Sequence, residues 1–259
     1  MNSFSITHIS VVIIVKNAAA TIEATLASLD CFSEVVLYDN GSSDETLNIA
    51  AAFSNVKIIQ GEFTGFGETK NNAVSFASND WIFSLDADEV PTVEFISHLA
   101  TLDLDKNSAY QINRVNYYKS TPIKHCWGND VITRVYHRAV TSFNNNKVHE
   151  FIITDGLQVN MLPENVLHYP YSNLSDFIVK ADNYSSLFAK DNQGTKSSSP
   201  LKAFLNGLFS FVKTYFLKRG FLDGYPGLVI AFSHMTTNFF KYMKLYEANK
   251  EQLTQPLKK

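Results

Sequence analysis

The sequence predicts an α/β protein with a mostly parallel central sheet flanked by helices. Two observations carry this. Over the first ninety or so residues, short β-branched apolar runs alternate with segments of helical periodicity, and each run ends in a polar, glycine-rich or acidic turn. A βαβαβαβ order of this kind implies right-handed crossovers and a ligand crevice outside the carboxyl ends of the strands.

The first run, Ile9-Ser-Val-Val-Ile-Ile-Val15, has no polar alternation, as expected of a strand covered on both faces. Residues 19–29 follow with Ile22, Leu26 and Leu29 at helical spacing. Residues 34–38 read as the second strand, which turns through Asp39-Asn-Gly-Ser-Ser into a helix over 44–53. Residues 56–59 form the third, leading through a loop over 61–67 to a helix over 68–77. Residues 81–85 form the fourth and end in Asp86, Asp88 and Glu89, with Pro91 expected at the first turn of a helix over 91–100.

After residue 100 the pattern changes to strand-like segments at 109–118, 131–136, 147–153 and 165–169, read as a smaller mixed sheet region. Residues 174–190 are helix-periodic, and 191–199 have the composition of a mobile polar linker. The C-terminal extension, 200–259, is helical and rich in Phe, Lys and Arg. The expected organisation is a catalytic domain over 1–190, divided into a nucleotide-binding half (1–100) and an acceptor half (101–172), then the linker and the helical extension.

A chain of 259 residues that is 45% hydrophobic and 18% charged can bury a sizeable core. Cys31 and Cys126 have no metal-binding spacing and suggest neither zinc nor a disulfide framework, which fits a reducing compartment. The start lacks a secretory pattern, so the expected location is cytoplasmic. Residues 201–259 carry nine Lys or Arg against three acids, while the first 200 carry 13 against 22. The acidic body argues against nucleic acid as partner, and the basic aromatic tail points to an anionic membrane surface at 200–250 or to buried aromatic packing.

Four motifs sit at the expected strand ends. Asp86-Ala-Asp88 offers hard oxygen ligands suited to Mg²⁺ or Mn²⁺ held together with phosphates, or simply decorates a strand end. Asp39 can accept hydrogen bonds from a base or ribose, or belong to an ordinary capped turn. Lys70 offers a cation to phosphate or base, or is a solvated helix lysine. In Val148-His-Glu150 the carboxylate can deprotonate an acceptor hydroxyl, with His149 a third metal ligand, unless the two form a surface pair. Arg134 and Arg138 can clamp phosphate or pair with acids on an edge strand.

Together these motifs resemble family 2 glycosyltransferases of the GT-A fold, with its Rossmann-like sheet. Lys16-Asn17, Asp39-Asn-Gly-Ser-Ser-Asp44, Lys70-Asn71 and Leu85-Asp-Ala-Asp-Glu89 carry that likeness. Gly65-Phe-Gly-Glu68, Trp127-Gly128, Arg134-Val-Tyr-His-Arg138, Val148-His-Glu150 and the 213–224 segment resemble the bacterial branch of lipopolysaccharide core β-1,4-glucosyltransferases. The resemblance implies an inverting, metal-assisted transfer of a hexose from a UDP-sugar to a glycolipid or oligosaccharide acceptor, at the inner face of the bacterial inner membrane. It implies donor contacts from Lys16, Asp39, Lys70 and Asp86, a cation on Asp88 and Asp86, and a base at Glu150, with Asp130 next in line. Trp127, Arg134 and Arg138 fall to phosphate or acceptor. A polyprenyl-phosphate glycosyltransferase and an inactive sugar-nucleotide-binding protein are the alternatives. A nucleotidyltransferase lacks its Gly- and Arg-rich start at 11–20.

Overall fold

The computed structural model describes residues 5–128, 130–146 and 150–254. The chain forms two compact units, Met1–Val115 with Asn129–Tyr169, and Asn116–Gly128 with Pro170–Lys259. The second unit takes in an excursion of the middle chain, Asn116–Gly128, together with the C-terminal residues.

In the first unit the order is β1 (Ile9–Val15), α1 (Ile22–Ala27), β2 (Val35–Asp39), α2 (Thr46–Ala50), β3 (Val56–Gln60), α3 (Phe66–Val74), β4 (Trp81–Asp86), β5 (Glu89–Pro91), α4 (Val93–Thr101) and β6 (Ser108–Tyr118), followed after the excursion by β8 (Asp130–His137) and β9 (Gln158–Tyr171). Strands β3, β2, β1 and β4 lie in parallel, and the sheet continues through β8, β6, β9 and β5. β8 runs antiparallel to β4 and to β6, and β5 antiparallel to β9.

The apolar run of β1 is explained by its place inside the sheet. Val11, Ile13 and Val15 pack with Ile22 and Leu26 of α1 and Phe95 and Leu99 of α4, while Val12 joins Ala73 and Val74 of α3 in a separate cluster. Successive side chains of a strand point to opposite faces, so burial on both faces removes the polar alternation. β2 pairs on one side of β1 and β4 on the other, which makes the carboxyl end of β1 a topological switch point. Val15 is in register with Asp39, and Ile14 with Asp86.

Two local expectations differ from the structure. Pro91 ends β5 opposite Val166, and Thr92 caps α4 by accepting the Phe95 N–H at 3.2 Å. Proline is tolerated there because β5 is the edge of the sheet and needs no donor on its free side. Near 147–153 the described residues form no strand. They make only an isolated bridge, Phe143 with Ile152.

The second unit holds β7 (Thr121–Pro122), paired with Tyr117 and Tyr118, and the helices α5 (Leu174–Asn192), α6 (Pro200–Val212) and α7 (Gly224–Thr254). A π-helical turn, Lys213–Leu217, and a 3₁₀ turn, Gly220–Asp223, lie between α6 and α7. Asn173 and Asp176 form a capping box at α5, and Ser199 caps α6 before Pro200. A Cβ on Gly207 would lie 3.1 Å from the Met235 carbonyl, so α6 approaches α7 where the side chain is absent. The polar segment after α5 is tied down. Gly194 N–H donates to Asn249 Oδ1 at 2.9 Å, Gln193 Nε2 to Ala248 O at 2.8 Å, and Ser198 Oγ to Tyr242 O at 2.6 Å. Its composition suggested mobility, but those polar groups bond to α7. Among the described residues, no helix is long and apolar enough to cross a membrane.

Candidate active site

The carboxyl edge of the parallel strands is organised first by Asp39. Its side chain is buried and accepts the N–H groups of Gly41 and Ser42, each at 3.1 Å, which closes the turn after β2. Gly41 has φ of 87°, a conformation that favours glycine. Next to it, Asn17 donates its N–H to Ser42 Oγ at 2.9 Å and accepts the Ser43 N–H at 2.8 Å. These bonds join the turns after β1 and β2. Lys16 lies exposed beside them.

The acidic turn after β4 is built around Glu89, which is fully buried. Its Oε2 accepts the Asp86 N–H at 2.9 Å, and its Oε1 accepts Arg114 Nη1 and Arg134 Nη2, both at 2.9 Å. Asp86 accepts Lys70 Nζ at 3.0 Å, makes a second short ion pair with Arg134, and lies 3.8 Å from Arg114. Arg114 continues to Asp130 at 2.9 Å. Burial works against the charge on Asp86, but Arg134, Lys70 and Arg114 outweigh it and hold the carboxyl well below the usual carboxylate range. Burial likewise opposes the charge on Arg134, and Asp86 and Glu89 reverse the effect. Buried charges persist only when paired and hydrogen-bonded, so these groups stand or fall as a network. The Nε atoms of Arg114 and Arg134 have no hydrogen-bond partner among the described residues.

Glu150 enters the network from a distant part of the chain. Its Oε1 lies 2.9 Å from Lys70 Nζ, and its side chain is 18% exposed, so solvent and substrate retain access. Lys70 is itself buried and stands between Asp86 and Glu150, with its ammonium 5.2 Å from the Phe143 ring centroid. A cavity of about 360 Å³ opens beside them, lined by Asp86, Arg114, Thr133, Arg134, Glu150 and Phe151 among others. Of the residues singled out in the sequence, Lys70, Asp86, Arg134 and Glu150 therefore converge.

Asp88 has a different partner. Its Oδ2 lies 3.6 Å from His168 Nε2 on β9, and its carbonyl accepts the Tyr169 N–H at 2.9 Å. His149, the expected third ligand, lies outside the described residues. Among the described residues, no group of three His, Cys, Asp or Glu side chains is arranged to hold a metal. Asp88 with His168 offers one carboxylate oxygen and one imidazole nitrogen, a donor set that accepts Mn²⁺ and, through the oxygen, Mg²⁺. Asp86 is paired with Lys70 and Arg134.

Arg138 and Trp127 have other partners. Arg138 binds Asp80 at 3.0 Å and the carbonyls of Val74 and Ala77, at the start of β4, roughly 20 Å along the strand from Asp86 at about 3.3 Å per residue. Trp127 belongs to the second unit, stacked on Tyr171 at 5.6 Å. The sequence reading singled out neither Arg114 nor His168. For Arg114 a signal existed: it sits in phase with Tyr110 and Ile112 on the core-facing side of an apolar strand.

Residues 10–160, more than half of the chain, match Glycosyl transferase family 2. An uncharacterized glycosyltransferase of Rickettsia felis is 29% identical over 262 residues, covering 93% of this chain and 90% of the relative. The lipopolysaccharide core biosynthesis glycosyltransferase LpsC of Rhizobium meliloti is 25% identical over 253 residues, covering 92% of each. The crystal structure of S. aureus TarS 1-349 in complex with UDP superposes with a TM-score of 0.47 at 17% identity, covering 96% of this chain and 93% of that one. With a parallel β3-β2-β1-β4 sheet extended by antiparallel strands, and with the family match spanning that sheet and its acidic turn, the chain belongs to glycosyl transferase family 2 and is a glycosyltransferase of the GT-A fold.

Proposed function

We propose that this enzyme transfers a hexose, such as glucose, from a UDP-sugar to a lipopolysaccharide core or related cell-envelope glycan, in a single displacement with inversion. The observation that carries the reading is the bridge of Lys70 between Asp86 at 3.0 Å and Glu150 at 2.9 Å, which joins a candidate base to the end of β4 beside the switch point. The LpsC similarity over nearly the whole chain supports the acceptor class.

In this reading Asp39 and Lys16 flank the uridine end, and Lys70 with Arg114 and Arg134 supplies positive charge toward the diphosphate. Asp88 and His168 would hold a divalent cation, which when bound would supply charge to offset that on the departing UDP. Glu150 takes the proton of the acceptor hydroxyl as its oxygen bonds to the anomeric carbon. The bond to the diphosphate breaks, and its electron pair leaves with UDP. Asp86 keeps Lys70 and Arg134 in place and is held ionised by them.

The exposed Phe204, Phe209, Phe216 and Leu217, set among exposed Lys202, Lys213, Lys218 and Arg219, support a second element, adsorption of the α6 to π-turn surface to anionic lipid. That fits a peripheral enzyme at the inner face of the membrane acting on a lipid-linked acceptor.

The test is turnover of UDP-, GDP- and ADP-sugars with Mn²⁺ or Mg²⁺, read as hydrolysis and as transfer to lipopolysaccharide core oligosaccharide. UDP-glucose is expected to turn over fastest. Absence of turnover with every donor sinks the reading, and the same result with tight UDP-sugar binding favours a binding protein.

A further inference from the structure

Residues 142–146, on the chain before Glu150, are held to α3 by a contact that the reaction scheme leaves unused. Residues 142–144 pair with 151–153: Asn144 N–H donates to Phe151 O and Ile153 N–H to Ser142 O, both at 3.0 Å, around the Phe143 to Ile152 bridge. Phe143 and Ile152 are buried, whereas Phe151 and Ile153 are exposed, so alternate residues anchor it. The anchor to α3 is polar. Asn71 Nδ2 donates to the Phe143 carbonyl at 2.9 Å, and the Phe143 N–H donates to Asn71 Oδ1 at 3.0 Å. The side-chain amide thus completes both backbone groups of one residue, as a neighbouring strand would. One turn earlier, Gly67 N–H donates to Asn146 O at 3.3 Å, and a Cβ on Gly67 would stand 1.8 Å from Asn144 O. Neighbouring residues of one helix, Lys70 and Asn71, therefore receive Glu150 and the segment that carries it.

Resting on the assignment of Glu150 as base, we infer that Asn71 is a positioning residue for the transfer, whose paired hydrogen bonds to Phe143 hold Glu150 at Lys70 and Asp86. It touches neither donor nor acceptor. Its loss acts on the chemical step and leaves donor affinity in place.

A double-mutant cycle separates this role from general support of the fold. Asn71→Ala, Glu150→Gln and the double variant are compared with wild type for hydrolysis of the preferred UDP-sugar with Mn²⁺, normalised to folded protein by circular dichroism. Asn71→Ala is expected to lower kcat about 10- to 100-fold, since small misplacements of a catalytic group cost on the order of 100-fold, with donor KM within about twofold. In the Glu150→Gln background the same change is expected to cost nothing further. Asn71→Asp keeps the acceptor for the Phe143 N–H and loses the donor; it serves if the alanine variant does not fold, with the same kcat loss and the same silence beside Glu150→Gln. Wild-type kcat in both Asn71 variants, or losses that multiply with that of Glu150→Gln, overturn the inference while the base assignment stands. Wild-type turnover in Glu150→Gln overturns the base assignment and the role of Asn71 with it.

Discussion

Two buried carboxylates, Glu89 in the first unit and Asp223 in the second, are satisfied in opposite ways. In the first unit Glu89 and Asp86 are held by the side chains of Lys70, Arg114 and Arg134. In the second, Asp223 accepts the backbone N–H groups of Lys124 at 3.0 Å, His125 at 3.1 Å and Cys126 at 2.8 Å, and lies 2.8 Å from His125 Nδ1. Burial opposes the charge on Asp223 as well, and those hydrogen bonds lower its pKa in spite of it. Mobile cationic side chains can exchange a carboxylate for an incoming phosphate. Backbone donors are fixed by the loop they belong to, so the second arrangement can only anchor. The Cys126 thiol beside Asp223, pushed up to about 12 by burial and by that carboxylate, is no nucleophile at neutral pH.

The contrast predicts separable phenotypes. Largest is the effect on turnover: Glu150→Gln is expected to lower kcat by about 10² to 10⁴ with the fold unchanged, while Asp223→Asn retains turnover per folded molecule, both read by UDP release. Equal losses in the two would erase the distinction. Next comes stability. Glu89→Gln leaves two guanidiniums without their shared acceptor and is expected to cost about 3 to 5 kcal/mol, whereas Asp223→Asn costs about 1 to 3 kcal/mol, compared by urea denaturation.

A pH dependence belongs to the second unit. His234, bonded to Thr214 Oγ1 at 2.9 Å, is lowered to about 4 by burial first and then by Lys218, Lys241 and Lys213. Its folded pKa lies below the unfolded value, so the fold favours the neutral ring. The associated stability is complete above about pH 6.5 and is lost as pH falls toward 4, by about 2 to 3 kcal/mol. His234→Gln should flatten that slope in thermal melts between those pH values. Asp86, with its depressed pKa, should contribute none of it: its stabilisation persists through that range and is lost only in stronger acid. The smallest effect concerns the surface, where Lys218→Ala should weaken binding to anionic vesicles by about 1 kcal/mol, and not at all to neutral ones.

Much of this was legible because it is local. The strand Ile9–Val15 and the acidic end of β4 follow from runs and turns of a few residues, whose periodicity reflects burial of a strand on two faces. Pro91 misled because a proline fits either an edge strand or a first helical turn, and only the pairing with Val166 decides between them. The 191–199 segment reads as a linker because polar residues look alike whether they bond to water or, as Gln193, Gly194 and Ser198 do, to α7.

By itself the sequence determined the parallel sheet, the order of its helices, and the identity of the acids and the lysine at the strand ends. Only the tertiary structure decided the partners of those charges. It set Asp86 among Lys70, Arg114 and Arg134, joined Glu150 to Lys70, and put His168 beside Asp88. Periodicity records which face of an element is covered, whereas an ion pair depends on distances of a few ångströms between residues up to 80 positions apart. Those distances come from sheet order and register, which the chain sets only once it is folded.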